Sequence, residues 1–128
     1  MSCVGSAMLI EIKYSPGRGR GVFARVPIPK DTIIETSAVL PLDPREQALI
    51  AQTQVNDYLF AWSDPEALQC DQIVVLGVLS MANHSEQPST FLRSHYAERL
   101  IDWVALRDIA AGEELTFRYR CELWFQPT

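Results

Sequence analysis

The sequence has few cysteines, only two lysines and no long apolar run. Its cysteines, Cys3, Cys70 and Cys121, are odd in number and lack CxxC spacing, so neither a disulfide framework nor a zinc cluster is expected. The longest apolar stretch, residues 73–79, is far shorter than the roughly 20 residues of a membrane span. These absences argue against a disulfide-rich or membrane-spanning protein and favour reduced thiols in the cytosol.

Basic residues are also too few to form a broad positive surface. Eleven Lys and Arg face 16 Asp and Glu, which gives a net charge of -5. Apart from Arg18, Arg20 and Arg25 they are scattered, which argues against direct nucleic-acid binding and favours a basic protein or peptide partner. Residues 1–10 have no basic segment typical of a signal peptide. We therefore expect a cytoplasmic protein, or a nuclear one in a eukaryotic or viral setting.

Length and composition predict one independently folding unit. The chain has 128 residues, of which 48% are hydrophobic and 21% charged, close to globular averages. A chain of this length buries roughly two thirds of its extended surface and needs no metal or disulfide to form a core. We expect a single domain over residues 1–128, with its core at about 10–124.

Local patterns predict a mostly β fold with two short helices at most. Asp43-Pro44-Arg45-Glu46 places an N-cap acid, a proline and a glutamate as a helix start requires, so a helix should begin at Pro44. Residues 56–62 favour strand or loop, and residues 73–82 favour a strand followed by a short helix from about Leu76. Other β-prone segments, bounded by turn residues, are 8–14, 21–26, 32–36, 90–95, 100–106 and 114–119.

Three clusters could carry chemistry, at residues 17–24, 81–88 and 111–119. Each has a structural explanation when taken alone. The glycine run departs from the phosphate-loop and dinucleotide patterns, so it is a hairpin turn or a bare backbone surface for a flat ligand. Asn83-His84 is typical of a turn. The cluster at residues 111–119 is typical of a charged turn followed by a tyrosine packed in the core. A zinc site on His84 and His95 lacks the required spacing.

Taken in order, the three clusters resemble the SET-domain family of protein lysine methyltransferases. The matching segments are GRGVFA at residues 19–24, NHSEQP at 83–88 and GEELTFRY at 112–119. The resemblance covers about residues 10–124. It extends to minimal viral SET domains through the segment DYLF at residues 57–60 and through Trp124, and the chain lacks a cysteine-rich post-SET segment.

The resemblance implies a β-clip-like SET fold of several short sheets with a C-terminal pseudoknot. It also implies S-adenosyl-L-methionine as the cofactor and no metal. The residues that it assigns to cofactor binding are Arg18, Gly19, Arg20, Gly21, Asn83, His84 and Trp124. The similar viral domains further imply a homodimer.

The resemblance assigns the chemistry to two tyrosines, Tyr119 where the methyl group is transferred and Tyr58 in the lysine channel. The other implied channel residues are Phe60, Phe117 and Leu123. A lysine amine with a pKa near 10.4 is mostly protonated at neutral pH. An apolar aromatic channel and the positive sulfur of the cofactor both disfavour the ammonium form, so no strong base is required.

Two functions remain open at this point. One is a methyltransferase acting on a lysine of a protein substrate, with a histone or another basic protein as candidate. The alternative is a catalytically silent SET module that binds a basic peptide or a partner subunit. Tyr58, Tyr119 and the Asn83-His84 pair favour the enzyme, whereas Ser89 and Leu123 are departures from the family pattern that favour the silent module.

Overall fold

The computed structural model describes residues 8–62 and 71–118, which form nine strands, one α-helix and two short 3-10 helices. The strands are β1 (Ile10–Ser15), β2 (Gly19–Ala24), β3 (Ile33–Pro41), β4 (Phe60–Trp62), β5 (Asp71–Leu76), β6 (Asn83–His84), β7 (Thr90–His95), β8 (Leu100–Ala105) and β9 (Glu114–Phe117). The helices are α1 (Pro44–Ile50) and the 3-10 helices η1 (Gln54–Tyr58) and η2 (Val78–Met81). Within this part of the chain, no helix is long and apolar enough to cross a membrane.

Helix α1 begins where its capping residues predict. The Asp43 carboxylate accepts a hydrogen bond from the Glu46 amide at 2.8 Å, and the Glu46 carboxylate accepts one from the Asp43 amide at 3.0 Å. Pro44 occupies the first turn, where its missing N–H costs nothing. None of the helix residues is buried, so α1 lies on the surface.

A four-stranded sheet joins the beginning, middle and end of the chain, in the order β1-β2-β9-β6. β1 and β2 form a hairpin that closes with Ser15 opposite Gly19. β9 pairs antiparallel with β2 and parallel with β6, where Asn83 lies opposite Thr116. The three sequence clusters therefore meet in one sheet.

A five-stranded sheet with the order β4-β5-β3-β8-β7 packs against the first. Its central strand β3 pairs antiparallel with β5 and β8, with an irregularity between Ile33 and Glu35. The core lies between the two sheets, and Trp103, Val22 and Leu115 are fully buried there.

Buried polar side chains join β7 to β9. The Thr90 hydroxyl donates to the Thr116 carbonyl oxygen at 2.6 Å and accepts from Nε1 of Trp103 at 2.7 Å. The Ser89 hydroxyl donates to the Glu114 carbonyl oxygen at 3.1 Å and accepts from the Thr116 amide at 3.0 Å. Every one of these hydroxyls is satisfied, as burial requires.

The mostly β class predicted from the sequence is confirmed, with differences at element boundaries. β2 begins at Gly19 rather than at residue 21, so the glycines belong to the strand as well as to the turn. β3 extends to Pro41, five residues beyond the predicted end. Residues 54–58 form a 3-10 helix before β4, and Asn83-His84 forms a short parallel strand instead of a turn.

Candidate active site

A cavity of about 520 Å³ opens beside β2, β6 and β9, within the size range of small-molecule sites. Its lining combines charged, polar and aromatic residues. These are Arg18, Gly19, Arg20, Asp57, Tyr58, Leu59, Phe60, Ser80, Met81, Ala82, Asn83, His84 and Phe117. Eight of the sequence-predicted site residues are in this set. Of the other five, Asp57 and Leu59 lie within the DYLF segment, and residues 80–82 directly precede Asn83.

The glycine turn forms one wall of the cavity. Gly19 has a φ of 83°, in the left-handed region that glycine enters without strain. A Cβ placed there would have no heavy atom within 4 Å, so the backbone faces open space. The flanking Arg18 and Arg20 make this wall cationic, and Nη2 of Arg20 lies 3.4 Å from the Tyr58 hydroxyl across the cavity.

Asn83 is held at the junction of β6 with the glycine strand. Its side-chain Nδ2 donates to the Arg20 carbonyl oxygen at 2.9 Å and to Oε2 of Glu114 at 2.7 Å. Both hydrogens of the Asn83 amide are therefore in hydrogen bonds, and the bond to Glu114 links Asn83 to β9.

Glu114 is a residue that the sequence reasoning missed, because Gly112-Glu113-Glu114 is typical of an exposed charged turn. Its side chain is only 20% exposed and lies 3.9 Å from the Arg18 guanidinium. The Ser15 hydroxyl donates to both carboxylate oxygens, at 3.2 and 3.3 Å. Strand alternation gives no signal for this burial, because a residue beside core Leu115 faces the opposite side of the sheet and would be expected in solvent.

Gly21 lies behind the cavity wall and does not line it. A Cβ at this position would collide with the Glu114 carboxylate and lie 2.8 Å from Nδ2 of Asn83. Gly21 therefore provides the space in which Glu114 and Asn83 meet, and its assignment to cofactor binding stays a prediction.

His84 is at the rim of the cavity, where its Nε2 forms a hydrogen bond with Oε2 of Glu86 at 2.9 Å. The Arg118 guanidinium lies 3.5 Å from the same carboxylate. The hydrogen bond from His84 and the positive charge of Arg118 lower the pKa of Glu86 from its ordinary value. The rim thus keeps a carboxylate ionised next to the histidine.

Another part of the cavity lining is aromatic. Phe60 and Phe117 stack with ring centroids 5.0 Å apart and are 5% and 6% exposed. Tyr58, at 39% exposure, extends this surface towards solvent. An aliphatic chain that enters here would be desolvated by the aromatic rings.

Three predicted site residues, Tyr119, Leu123 and Trp124, lie outside the described residues. The same part of the chain was also predicted to contain the C-terminal pseudoknot. Among residues 8–62 and 71–118, no three His, Cys, Asp or Glu side chains are grouped as metal ligands would be.

Known proteins with similar sequences decide the family. The family model of the SET domain matches residues 19–120. The chain belongs to the SET domain family. One SET relative, from Schizosaccharomyces pombe, is 36% identical over 118 residues, which cover 91% of this chain and 77% of the relative. That relative is named a histone-lysine N-methyltransferase specific for lysine 37 of H3.

A solved structure supports the fold assignment. A crystal structure from Plasmodium falciparum, of a protein provisionally named a histone methyltransferase, matches with a TM-score of 0.66 and 23% identity. The match covers 91% of this chain and 96% of that one. The predicted family and the predicted SET fold are therefore both confirmed. The insertion of β9 between β2 and β6 is the central topological feature of this SET domain within the described residues.

Proposed function

We propose that this SET-domain protein transfers a methyl group from S-adenosylmethionine to a lysine side chain of a protein substrate. The main observation in support is that a single cavity is lined both by a cationic, glycine-containing wall and by buried aromatic rings. Membership of the SET family and the Schizosaccharomyces pombe relative support the class of protein-lysine methyltransferase. The cavity matches that class because it offers separate surfaces to a charged cofactor and to an aliphatic amine.

The described residues of the cationic wall fit S-adenosylmethionine. The open space at Gly19 would admit a flat group against the backbone, and the guanidinium groups of Arg18 and Arg20 suit a carboxylate. Asn83 and His84 add polar groups beside them, and the sequence resemblance adds Trp124 as an apolar cover. When bound, the cofactor supplies a methyl group activated by its sulfonium.

The aromatic part of the lining favours the reactive form of lysine. Removing an ammonium group from water disfavours its charged form, so Phe60, Phe117 and Tyr58 would lower the pKa of an inserted lysine. Tyr58 presents a hydroxyl at the solvent side of this surface. Together these side chains hold the aliphatic stem in place and exclude water around the amine.

Tyr119 is the proposed residue at the reacting centre, two positions beyond Phe117 in the sequence. Its hydroxyl would orient the neutral amine towards the methyl group, and holding two reactants in line is a large part of the rate enhancement in such transfers. Leu123 is the proposed further channel residue.

The proposed substrate is a basic protein segment such as a histone tail. The Schizosaccharomyces pombe relative carries histone H3 in its name, and the net charge of -5 attracts a cationic partner. We also propose a homodimer and a cytoplasmic location, or a nuclear one in a eukaryotic or viral setting.

The decisive experiment measures cofactor binding and methyl transfer on the same preparation. Calorimetry with S-adenosylhomocysteine should give saturable one-site binding, and labelled cofactor should methylate histone H3 but not H3 in which the target lysine is replaced by arginine. Binding without transfer to any histone or basic protein would favour the silent module. Absence of both would overturn the proposal.

Tyr119→Phe tests the assigned chemistry. Removing the hydroxyl should lower kcat by about 10- to 1000-fold, as loss of one oriented hydrogen bond at a reacting centre does. Melting temperature and cofactor affinity should stay unchanged. Tyr14→Phe is the matched control, because Tyr14 is 71% exposed on β1 and its hydroxyl should not affect the rate. A wild-type rate in Tyr119→Phe would remove this residue from the mechanism.

A further inference from the structure

The side-chain amide of Asn83 has a fixed orientation. Its two hydrogen-bond partners are the Arg20 carbonyl oxygen and the Glu114 carboxylate. Both groups accept hydrogen bonds, so only the Nδ2 end of the amide can face them. Its oxygen, Oδ1, has no hydrogen bond with the described residues and remains available to a ligand in the cavity.

Glu114 is the partner that makes this orientation strong. Its hydrogen bond with Asn83 is 2.7 Å long and involves a charged acceptor, which strengthens it relative to a neutral bond. The carboxylate is in turn held by the Ser15 hydroxyl and is 20% exposed. Glu114 is thus held by Ser15 of β1 and forms its hydrogen bond with Asn83 from outside the cavity.

The adjacent Glu113 has a different environment. It pairs with the Arg107 side chain and accepts a hydrogen bond from the Ala110 amide at 3.0 Å. Neither contact reaches the cavity, so two neighbouring glutamates of one motif have separate roles. This difference provides a matched control within the chain.

We propose that Glu114 is a positioning residue for cofactor recognition, which acts by fixing the Asn83 amide with its oxygen towards the cavity. An amide held in this way presents only an acceptor, so it selects a ligand group that donates hydrogen bonds, such as the α-ammonium of an amino-acid moiety. An unfixed amide could rotate and present its NH2 group, which would repel an ammonium. This inference rests on the proposed cofactor and names the residue that sets its orientation.

The test compares two ligands by calorimetry on the full chain: S-adenosylhomocysteine and its analogue without the α-amino group. Glu114→Ala should weaken binding of S-adenosylhomocysteine about 10-fold more than binding of the analogue, as expected for one charge-assisted hydrogen bond. The loss of the Glu114–Arg18 ion pair affects both ligands alike and cancels in this ratio. Glu114→Gln retains an acceptor oxygen at the same reach and should keep the preference for the α-amino group. Glu113→Ala should keep both affinities.

Glu114→Asp provides a second variant if Glu114→Ala does not fold. It keeps the charge but withdraws the carboxylate by one methylene, so it should reduce the preference for the α-amino ligand although the charge is retained. An unchanged ratio of the two affinities in either variant would overturn the positioning role. Failure of the wild-type protein to bind either ligand would instead overturn the proposed cofactor, and the two failures are therefore distinct.

Discussion

At the scale of single residues, the glycines of β2 and its turn have unequal tasks. Gly17 and Gly19 have positive φ values and open space where a Cβ would be, whereas Gly21 is hemmed in by Glu114 and Asn83. Substitution at Gly17 therefore strains the backbone, and substitution at Gly21 displaces side chains that support the cavity.

Gly21→Ala should lower the affinity for S-adenosylhomocysteine by at least about 10-fold, since it pushes Asn83 and Glu114 apart, and overpacking should cost about 1–3 kcal/mol of unfolding free energy. Gly17→Ala should cost about 1 kcal/mol through its left-handed φ and leave the affinity unchanged. Calorimetry combined with urea unfolding checks both. Wild-type affinity in Gly21→Ala would show that Asn83 and Glu114 can move without affecting ligand binding.

A second residue-scale feature is Asp102, which is buried on β8 beneath charged neighbours. It accepts a hydrogen bond from the Thr36 hydroxyl at 2.8 Å, lies 2.8 Å from Nε2 of His95 and pairs with Arg93 at 3.3 Å. Burial raises the pKa of Asp102, but the hydrogen bonds from His95 and Thr36 outweigh it and leave the pKa below its ordinary value. The ionised form is therefore favoured by folding.

Because the pKa of Asp102 is lower in the folded protein than in the unfolded chain, its contribution to the free energy of unfolding should decrease as the pH falls. The pKa of an aspartate in an unfolded chain is about 3.9. The stabilisation by ionised Asp102 is therefore fully present above that pH and is lost as the pH falls through the lower pKa of the folded protein. Asp102→Asn should lower the unfolding free energy by about 1–3 kcal/mol at pH 7, and the difference from wild type should shrink below about pH 4. Urea unfolding at both pH values measures it, with Glu98→Gln in the exposed β7–β8 turn as control. A difference that persists undiminished at low pH would contradict the assignment.

At the scale of elements, α1 is held by its cap rather than by burial. With no buried residue, the helix gains little from the core, so local hydrogen bonds decide whether its turns stay closed. The capping box at Asp43 and Glu46 is consequently the main local support of this helix.

Asp43→Ala should cost about 0.5–2 kcal/mol of helix stability. The amides of Gln47 and Ala51 donate to the carbonyl oxygens of Asp43 and Gln47. They should then exchange with solvent several-fold faster, while amides of β8 keep their rates. Hydrogen-exchange mass spectrometry reads this out, and Arg45→Ala in the same exposed turn is the control. Equal rates in Asp43→Ala and wild type would show that the helix is supported elsewhere.

Elements with local pairing were predictable from the sequence, and elements with distant pairing were not. The hairpin of β7 and β8 and the start of α1 follow from neighbouring residues, so alternation and capping patterns locate them. The parallel pair of β6 and β9 joins Asn83 to Thr116 over two residues only, which leaves no periodic pattern to detect.

The site shows the same division. Eight of its cavity residues were found through the three clusters and the DYLF segment, whereas Glu114 was missed because its burial depends on the β1–β2 hairpin. A pair of glutamates after a glycine is typical of a solvent-exposed turn. Only the tertiary structure shows that Glu113 and Glu114 have different environments. The role of Tyr119 stays a prediction, since that residue lies outside the described part of the chain.

At the scale of the whole molecule, Thr90 connects the two sheets. One hydroxyl on β7 satisfies both the Trp103 ring nitrogen on β8 and the Thr116 carbonyl oxygen on β9. All three residues are buried, so water cannot replace the hydroxyl. The contact between the five-stranded sheet and β9 therefore depends on this hydroxyl together with that of Ser89.

Thr90→Val keeps the shape but leaves two buried polar groups unsatisfied, so it should lower the unfolding free energy by about 2–4 kcal/mol. Thr90→Ser restores the hydroxyl and should recover most of that loss. Chemical unfolding of the three proteins measures the difference. If Thr90→Ser were as unstable as Thr90→Val, the methyl group rather than the hydroxyl would be the important part.

The position of β9 also has a consequence for the order of events during synthesis. β9 lies inside the four-stranded sheet, between β2 and β6, yet it is the last strand of the described chain to leave the ribosome. Until then the inner edge of β2 has no partner, and such edges invite pairing with other chains. A nascent chain therefore carries an incomplete cavity and an open sheet edge until β9 emerges, and both are closed by the same four residues.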